Sequence, residues 1–292
     1  FDVSFMVEKG KMLALVGESG CGKTISAMSV IKLLPKTAKI TSGEILFDDI
    51  NLINSNEKEM QKIRGGKIAL IPQDPMTSLN PLYTVGDQLL EVIKAHQKLE
   101  GEDARKKAIE AFDMVHIPCA ESRLNSYPHE FSGGMKQRAI IAMALVTNAQ
   151  VLIADEPTTA LDVTIQAQIM NLLDEIKSQT SILLITHDLA LVNEYADEVA
   201  VMYAGRIVEQ APATEFFKTP NHPYSRALLK ALPTNNRTRL ETIEGQPPTI
   251  QQNISGCRFH PRCPYNMKLC REKIPQLKPI KENHYSACFL NI

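Results

Sequence analysis

The stretch MLALVGESGCGKT, Met12 to Thr24, restricts what this chain can fold into more than any other. Met12 to Val16 reads as a short buried strand. An amphipathic run follows the stretch, with Ile25, Met28, Ile31 and Leu34 at helical spacing. Between strand and run, Gly17-Glu18-Ser19-Gly20-Cys21-Gly22-Lys23-Thr24 spells G-x-x-x-x-G-K-[ST] in the strand–loop–helix setting that motif requires. Its glycines let successive backbone N–H groups turn toward one anion, and the helix N-terminus adds partial positive charge. Lys23 is expected to reach the β- and γ-phosphates of a nucleotide, and the Thr24 hydroxyl to ligate Mg²⁺. Cys21 is read as a small filler with no chemistry of its own.

A metal-bearing phosphate site needs a second, acidic motif. Gln150-Val151-Leu152-Ile153-Ala154-Asp155-Glu156-Pro157 is an apolar strand ending in two carboxylates, and in a parallel sheet that end opens onto the ligand crevice. Asp155 is expected to orient the Mg²⁺ shell, and Glu156 to polarise the attacking water as general base. A lone strand that stops at a charged turn means little, but beside the phosphate loop the pair implies a nucleoside triphosphatase. Ser132-Gly133-Gly134-Met135-Lys136-Gln137-Arg138, ahead of the helix-compatible run Ala139 to Leu145, is a second phosphate cradle by the same dipole argument. One nucleotide does not need two cradles from one subunit, so a head-to-tail pair is expected, each γ-phosphate meeting the opposite subunit's Ser-Gly-Gly.

The bulk numbers exclude several classes. A 292-residue chain with 44% hydrophobic and 22% charged residues is an ordinary globular composition, sized for one large or two moderate domains. A formal net charge of -1 gives no field to recruit nucleic acid or an anionic membrane. The apolar runs suit strands and are too short to span a bilayer. No signal peptide opens the sequence, so the cytoplasm is expected, where thiols stay reduced. The opening FDVSFMVEKG enters in mid-pattern, and residues before Phe1 are expected.

GESGCGKT, Gln73 after an apolar strand, FSGGMKQR, VLIADEP, Ala160-Leu161-Asp162 and ITHD occur in the order found in nucleotide-binding subunits of ABC transporters, and the chain resembles that family across residues 17 to 188. Chromosome-structuring and DNA-repair relatives place a long coiled coil between these motifs. Here about 110 residues without sustained heptads separate Lys23 from Ser132. The resemblance implies an α/β core of the ABC type with a mixed, RecA-like sheet over residues 1–205 and an inserted helical subdomain near 80–147. It implies that Gln73 contacts Mg²⁺ and the attacking water, that His187 contacts the γ-phosphate, and that Asp162 communicates across the dimer. Two positions depart from the commonest spelling, LSGGQ: Phe131 stands for the leucine and Met135 for the glutamine. With Ser132 and both glycines kept, a competent site is expected. The aromatic that stacks on adenine in the family would precede Phe1.

With no stretch able to form a pore, the membrane part is expected to be two separate permease chains. Gln73-Asp74-Pro75-Met76-Thr77-Ser78-Leu79-Asn80-Pro81 and Tyr127-Pro128-His129-Glu130 resemble stretches in ATPases of dipeptide, oligopeptide and nickel importers. After the expected hairpin VAVMYAGRIVEQ, ten of the 17 prolines fall within residues 206–292. Asn221-His222-Pro223-Tyr224, the apolar helix Ala227 to Leu232 and Glu244-Gly245-Gln246-Pro247-Pro248 resemble the extension of peptide-importer ATPases. The expectation is a D-type dipeptide-permease subunit at the cytoplasmic face of the cell membrane, paired with an F-type sibling or with itself. It would be served indirectly by a periplasmic or extracellular peptide-binding protein and would bind no nucleic acid. Import of nickel or another small solute, and a soluble ABC ATPase acting on ribosomes or DNA, are the alternatives.

Four of the six cysteines, Cys257, Cys263, Cys270 and Cys288, crowd the last 36 residues. Their spacing is neither the paired C-x2-C of structural zinc nor a compact ferredoxin run, and leaves the metal open. Residues 257–282 hold seven Lys or Arg against two Glu, a balance that would offset a negatively charged cluster. The family resemblance implies a [4Fe-4S] cluster on these cysteines. Zn²⁺, or unligated or disulfide-bonded cysteines, are the alternatives, and His260 and His284 are further possible ligands. A tail this rich in proline is expected to need a metal in place of a core of its own.

Overall fold

The computed structural model describes residues 2–159, 161–232, 243–248, 252 and 254–290, so Ala160 of the expected Ala160-Leu161-Asp162 motif lies outside the described residues. In chain order, β1 (Met12–Val16) leads to α1 (Lys23–Val30), and the antiparallel pair β2 (Leu46–Phe47) and β3 (Ile50–Asn51) precedes α2 (Glu57–Ile63). Then come β4 (Ile68–Ile71), α3 (Pro75–Ser78), α4 (Val85–Gln97), α5 (Gly101–Met114), α6 (Ala120–Arg123) and α7 (Gly133–Leu145). Next are β5 (Val151–Asp155), α8 (Val163–Ile176), β6 (Ser181–Thr186), α9 (Leu189–Tyr195), β7 (Glu198–Tyr203) and β8 (Arg206–Pro212). The remainder holds α10 (Ala213–Lys218), α11 (Pro223–Lys230), α12 (Lys268–Glu272), β9 (Lys278–Lys281) and β10 (His284–Ser286). The chain forms two compact units, one of Phe1–Ser26 with Leu184–Ile292 and one of Ala27–Leu183.

In the first unit β1 runs parallel to β7, with Leu13 opposite Glu198 and Val16 opposite Val201. All five residues of β1 are buried, which is why the strand reads as an unbroken apolar run rather than an alternation. β7 and β8 form the expected hairpin, antiparallel and closed by Ala204 (φ 46) and Gly205 (φ 78). Two consecutive positive φ values match the twist of a two-residue hairpin turn. β10 adds antiparallel to β8, and β9 to β10. The sheet is therefore mixed.

The proline-rich segment, expected to lack a core of its own, packs onto the core of the sheet. Phe216, Tyr224 and Phe259 are buried in one cluster with Val16, Val201 and Tyr203. Tyr203, Tyr224 and Phe259 pack ring to ring, with centroids 4.6, 5.1 and 5.4 Å apart. Burying Phe259 alone contributes about 1.5–3 kcal/mol, before any metal is considered. Glu209, fully buried, accepts the N–H groups of Asn221 and His222 at 2.7 Å each and meets His284 Nε2 at 2.8 Å. One carboxylate of β8 thus gathers two separated pieces of the segment, residues 221–222 and His284. His222 caps α11 by accepting the Tyr224 N–H at 3.1 Å, and burial pushes its pKa down to about 3, which keeps the ring a neutral acceptor. That cap and Pro223 at the first helical position start α11 at Pro223, ahead of the Ala227 expected from apolarity alone.

In the second unit β4 runs parallel to β5, Ile68 opposite Val151 and Ile71 opposite Ala154, and the connection between them carries α3 to α7. Leu89 and Ile93 of α4, Ala108 and Phe112 of α5 and Ile141 of α7 are fully buried. Phe131 meets Phe112 edge to face, centroids 6.4 Å apart, so an aromatic at that position fills the helical core. Arg138 donates to the Val115 carbonyl at 2.8 Å, tying α7 to the end of α5.

The face of α1 differs from the sequence reading. Ala27 and Ile31 are the buried apolar positions, whereas Ile25 is 44% exposed. The helix also stops at Val30 rather than continuing to Leu34, because Lys32 takes a left-handed conformation (φ 53) and its ammonium donates to the Ile53 and Ser55 carbonyls at 2.9 and 2.8 Å. Counting large apolar residues missed the small Ala27 that sets the face.

Candidate active site

The first unit carries Gly17, Glu18, Ser19, Gly20, Cys21, Gly22, Lys23 and Thr24, and also His187. The buried β1 delivers the chain into Gly17, whose φ of 153° suits glycine. A Cβ there would fall 2.2 Å from the Met202 carbonyl oxygen and 3.0 Å from Cys21 Sγ, so the close pass of the loop over β7 depends on the bare α-carbon. Lys23 is 6% exposed, and its Nζ donates to the carbonyls of Gly17 at 2.7 Å and Glu18 at 3.2 Å. The ammonium is folded along its own loop. Cys21 is buried, and burial raises its thiol pKa, in keeping with a filler. His187 is exposed directly after β6, and Asp188 beside it caps α9 by accepting the Ala190 N–H at 2.8 Å.

The second unit carries Gln73, Ser132, Gly133, Gly134, Asp155, Glu156 and Asp162. Asp155 ends β5 at 1% exposure. Glu156 follows in the left-handed region at φ 47, unusual for a residue with a side chain and a form of strain that collects at functional sites. Gln73, just past β4, donates from Nε2 to Glu156 Oε2 at 3.1 Å, and the Thr159 hydroxyl donates to the same oxygen at 3.0 Å. The parallel pairing of β4 with β5 sets Gln73 beside Glu156 although 83 positions separate them. Thr159 was missed in the sequence; its signal was its place three residues after Glu156, one turn on. Ser132 is the N-cap of α7, accepting the Met135 N–H at 3.3 Å. Gly134 lies where a Cβ would come within 2.9 Å of Ile165 Cγ2, so α7 and α8 meet closely there. Asp162 caps α8 through the Ile165 N–H at 3.0 Å.

Two further contacts to the phosphate loop come from residues the sequence did not single out for it. The Glu18 N–H donates to the Tyr224 hydroxyl at 2.9 Å, and Arg262 forks onto the Glu18 carboxylate at 2.7 and 3.0 Å. No local pattern announces partners so remote in sequence.

Cys257, Cys263, Cys270 and Cys288 line one cavity together with His260, Pro275 and Phe289. The Cys257 N–H donates to the Cys270 carbonyl at 2.7 Å, which draws two of the four together. All six cysteines are free thiols, which removes the disulfide alternative. Burial pushes the Cys257 thiol up to about 11 and raises those of Cys263 and Cys288, so without a ligand these three favour the neutral form. Among the described residues no three His, Cys, Asp or Glu side chains converge to hold a metal ion, so the expected ligand set is a shared cavity rather than a formed metal centre. His284 is engaged by Glu209 instead of facing the thiols as a spare ligand.

A Gly-rich loop between a buried strand and a helix, and an acidic strand end in a parallel pair, define a P-loop nucleoside triphosphatase. Comparison with known proteins narrows the class. The ABC transporter family model matches residues 1–159, and the model for the oligopeptide/dipeptide transporter C-terminal region matches residues 208–270. A probable peptide ABC transporter ATP-binding protein, y4tR of Sinorhizobium fredii, is 50% identical over 98% of this chain and 88% of its own length. The oligopeptide transport ATP-binding protein OppD of Bacillus subtilis is 48% identical over 99% of this chain and 82% of its own. The dipeptide transport protein DppD of the same organism is also 48% identical, over 99% and 88%. Among solved structures, the ADP- and phosphate-bound dimer of the ATP-binding cassette MJ0796 superposes with a TM-score of 0.64 at 28% identity, covering 73% of this chain and 89% of that one. The cassette cbiO1 of Clostridium perfringens gives 0.64 at 31% identity, covering 73% and 82%. The chain belongs to the ABC-transporter ATP-binding family, in its oligopeptide/dipeptide branch, and is an ATPase.

Proposed function

We propose that this chain is the ATP-hydrolysing subunit of an importer for di- or oligopeptides, working through two membrane permeases that are separate chains. The observation that carries the reading is the joint match of the cassette at residues 1–159 and the peptide-transporter C-terminal region at 208–270. The same two matches support a division into a core, residues 1–205 with a helical insertion near 80–147, and an extension, residues 206–292. Among the described residues no helix is long and apolar enough to cross a membrane, which fits a subunit docked at the cytoplasmic face through its permeases.

In this reading Gly17 to Thr24 cradle the phosphates, and Lys23 gives up its loop carbonyls for the β- and γ-phosphate oxygens. Thr24, Gln73 and Asp155 would hold Mg²⁺, whose charge offsets that of the phosphates. The buried carboxylate of Asp155 is a donor of the right chemistry. Glu156, oriented by Gln73 and Thr159, takes a proton from the water as its oxygen bonds the γ-phosphorus and the bond to the bridging oxygen breaks. His187 contacts the γ-phosphate. Ser132, Gly133 and Gly134 act on the opposite subunit's nucleotide in a head-to-tail dimer with an F-type sibling or a second copy, and Asp162 communicates across that dimer. A periplasmic or extracellular peptide-binding protein delivers cargo to the permeases.

Recovery of the chain from membranes with two permeases, and loss of di- and oligopeptide uptake in cells lacking it, are the expected results. Unchanged peptide uptake with lost nickel uptake would overturn the peptide assignment.

Four thiols sharing one cavity support a [4Fe-4S] cluster on Cys257, Cys263, Cys270 and Cys288, with Zn²⁺ the alternative. The aromatic core beneath them makes its contribution additional rather than indispensable to folding. Anaerobically purified protein is expected to absorb in the visible thiolate-to-iron charge-transfer region. A colourless protein with stoichiometric zinc would overturn the cluster.

A further inference from the structure

Arg262 stands in the turn between Cys257 and Cys263, yet its side chain is only 5% exposed and is directed at the phosphate loop. Its guanidinium donates twice to Glu18, at 2.7 Å to Oε2 and 3.0 Å to Oε1. Its Nε donates to the Glu244 carbonyl at 3.0 Å, and it lies 5.8 Å from the Tyr203 ring centroid with a 3.3 Å bond to that hydroxyl. The fork is therefore held from behind. Glu18 is fixed at a second point, its N–H donating to the Tyr224 hydroxyl at 2.9 Å. Tyr224 is itself fully buried between Tyr203 and Phe259. Both backbone and side chain of one phosphate-loop residue are thus gripped by the segment after β8. The carbonyl of the same residue receives Lys23 Nζ at 3.2 Å.

An exposed ion pair of this kind would contribute little. A bidentate, mostly buried fork with a preformed backing has geometric specificity and strength that a point charge lacks. A loop already in its binding conformation spares the ligand the cost of ordering it.

We propose that Arg262 is a positioning residue for nucleotide binding: acting through Glu18, it holds the Gly17–Thr24 loop in the conformation that receives phosphates, so the C-terminal segment sets ATP affinity. This rests on the reading of that loop as the phosphate site. Arg262 is assigned no contact with the reacting atoms, so its loss raises KM and leaves kcat nearly unchanged.

The test measures ATP binding by calorimetry and steady-state KM and kcat, on the full chain, for wild type, Arg262→Gln, Glu18→Gln and the double variant. Each single variant is expected to bind ATP about tenfold more weakly, the scale of one lost charge-assisted interaction. The double variant is expected to bind no worse than either single one, since both act through one pair. Arg262→Lys should fall between Arg262→Gln and wild type. A folded Arg262→Gln protein with wild-type KM and affinity would overturn the proposal, as would losses that add in the double variant. If Arg262→Gln fails to fold, Glu18→Gln decides alone: weaker ATP binding supports the proposal and unchanged binding overturns it. Failure of wild type to bind ATP would instead remove the phosphate-site reading itself.

Discussion

Replacing Glu156 with Gln is expected to cut ATP turnover by about 10²- to 10⁴-fold, the range a lost general base covers, and to leave an ATP-bound dimer that does not come apart. The substitution keeps the shape of the side chain. An amide oxygen can still accept from Gln73 Nε2 and from the Thr159 hydroxyl, which meet Glu156 Oε2 at 3.1 and 3.0 Å. What the amide cannot do is take a proton from water. Binding, which depends on the loop at Gly17–Thr24, should persist, so the closed state accumulates because nothing resets it. Phosphate release together with size-exclusion chromatography in ATP and Mg²⁺ checks both halves. Turnover near wild type would remove Glu156 as the base.

Gly17→Ala is expected to lower kcat/KM for ATP by about 10²-fold, the effect of moving reacting groups by roughly an ångström. The added methyl would sit 2.2 Å from the Met202 carbonyl oxygen, a backbone atom inside β7 that cannot rotate away. Either the loop lifts from the strand or the strand shifts, and overpacking of this kind costs about 1–3 kcal/mol of stability. Nucleotide affinity and thermal unfolding, measured together, separate the two. Wild-type affinity in a folded Gly17→Ala protein would show that the close pass over β7 is not what shapes the loop.

Much of the candidate site was legible because its chemistry is local. The strand Met12–Val16, the loop after it and the strand ending at Asp155 each reside in one short segment whose residue types dictate what it can do. The hairpin was legible for the same reason: Ala204 and Gly205 are the turn and the flanking residues pair across it. The face of α1 was not, since burial of Ala27 rather than Ile25 depends on what the helix packs against. That the C-terminal segment, with no core expected of its own, shares the core of the sheet was not legible either. That segment holds seven of the chain's 16 aromatic residues, and its buried ones join β1 and β7 instead of one another alone.

The amino-acid order by itself determined the strand–loop–helix motif at Met12–Thr24, the strand that ends in two carboxylates and the family the chain resembles, because those properties are carried by neighbouring residues. Only the tertiary structure decided that Gln73 holds Glu156 across 83 positions and that Arg262 grips Glu18 across 244. Distant partners become neighbours through strand pairing and core burial, and no local segment encodes them.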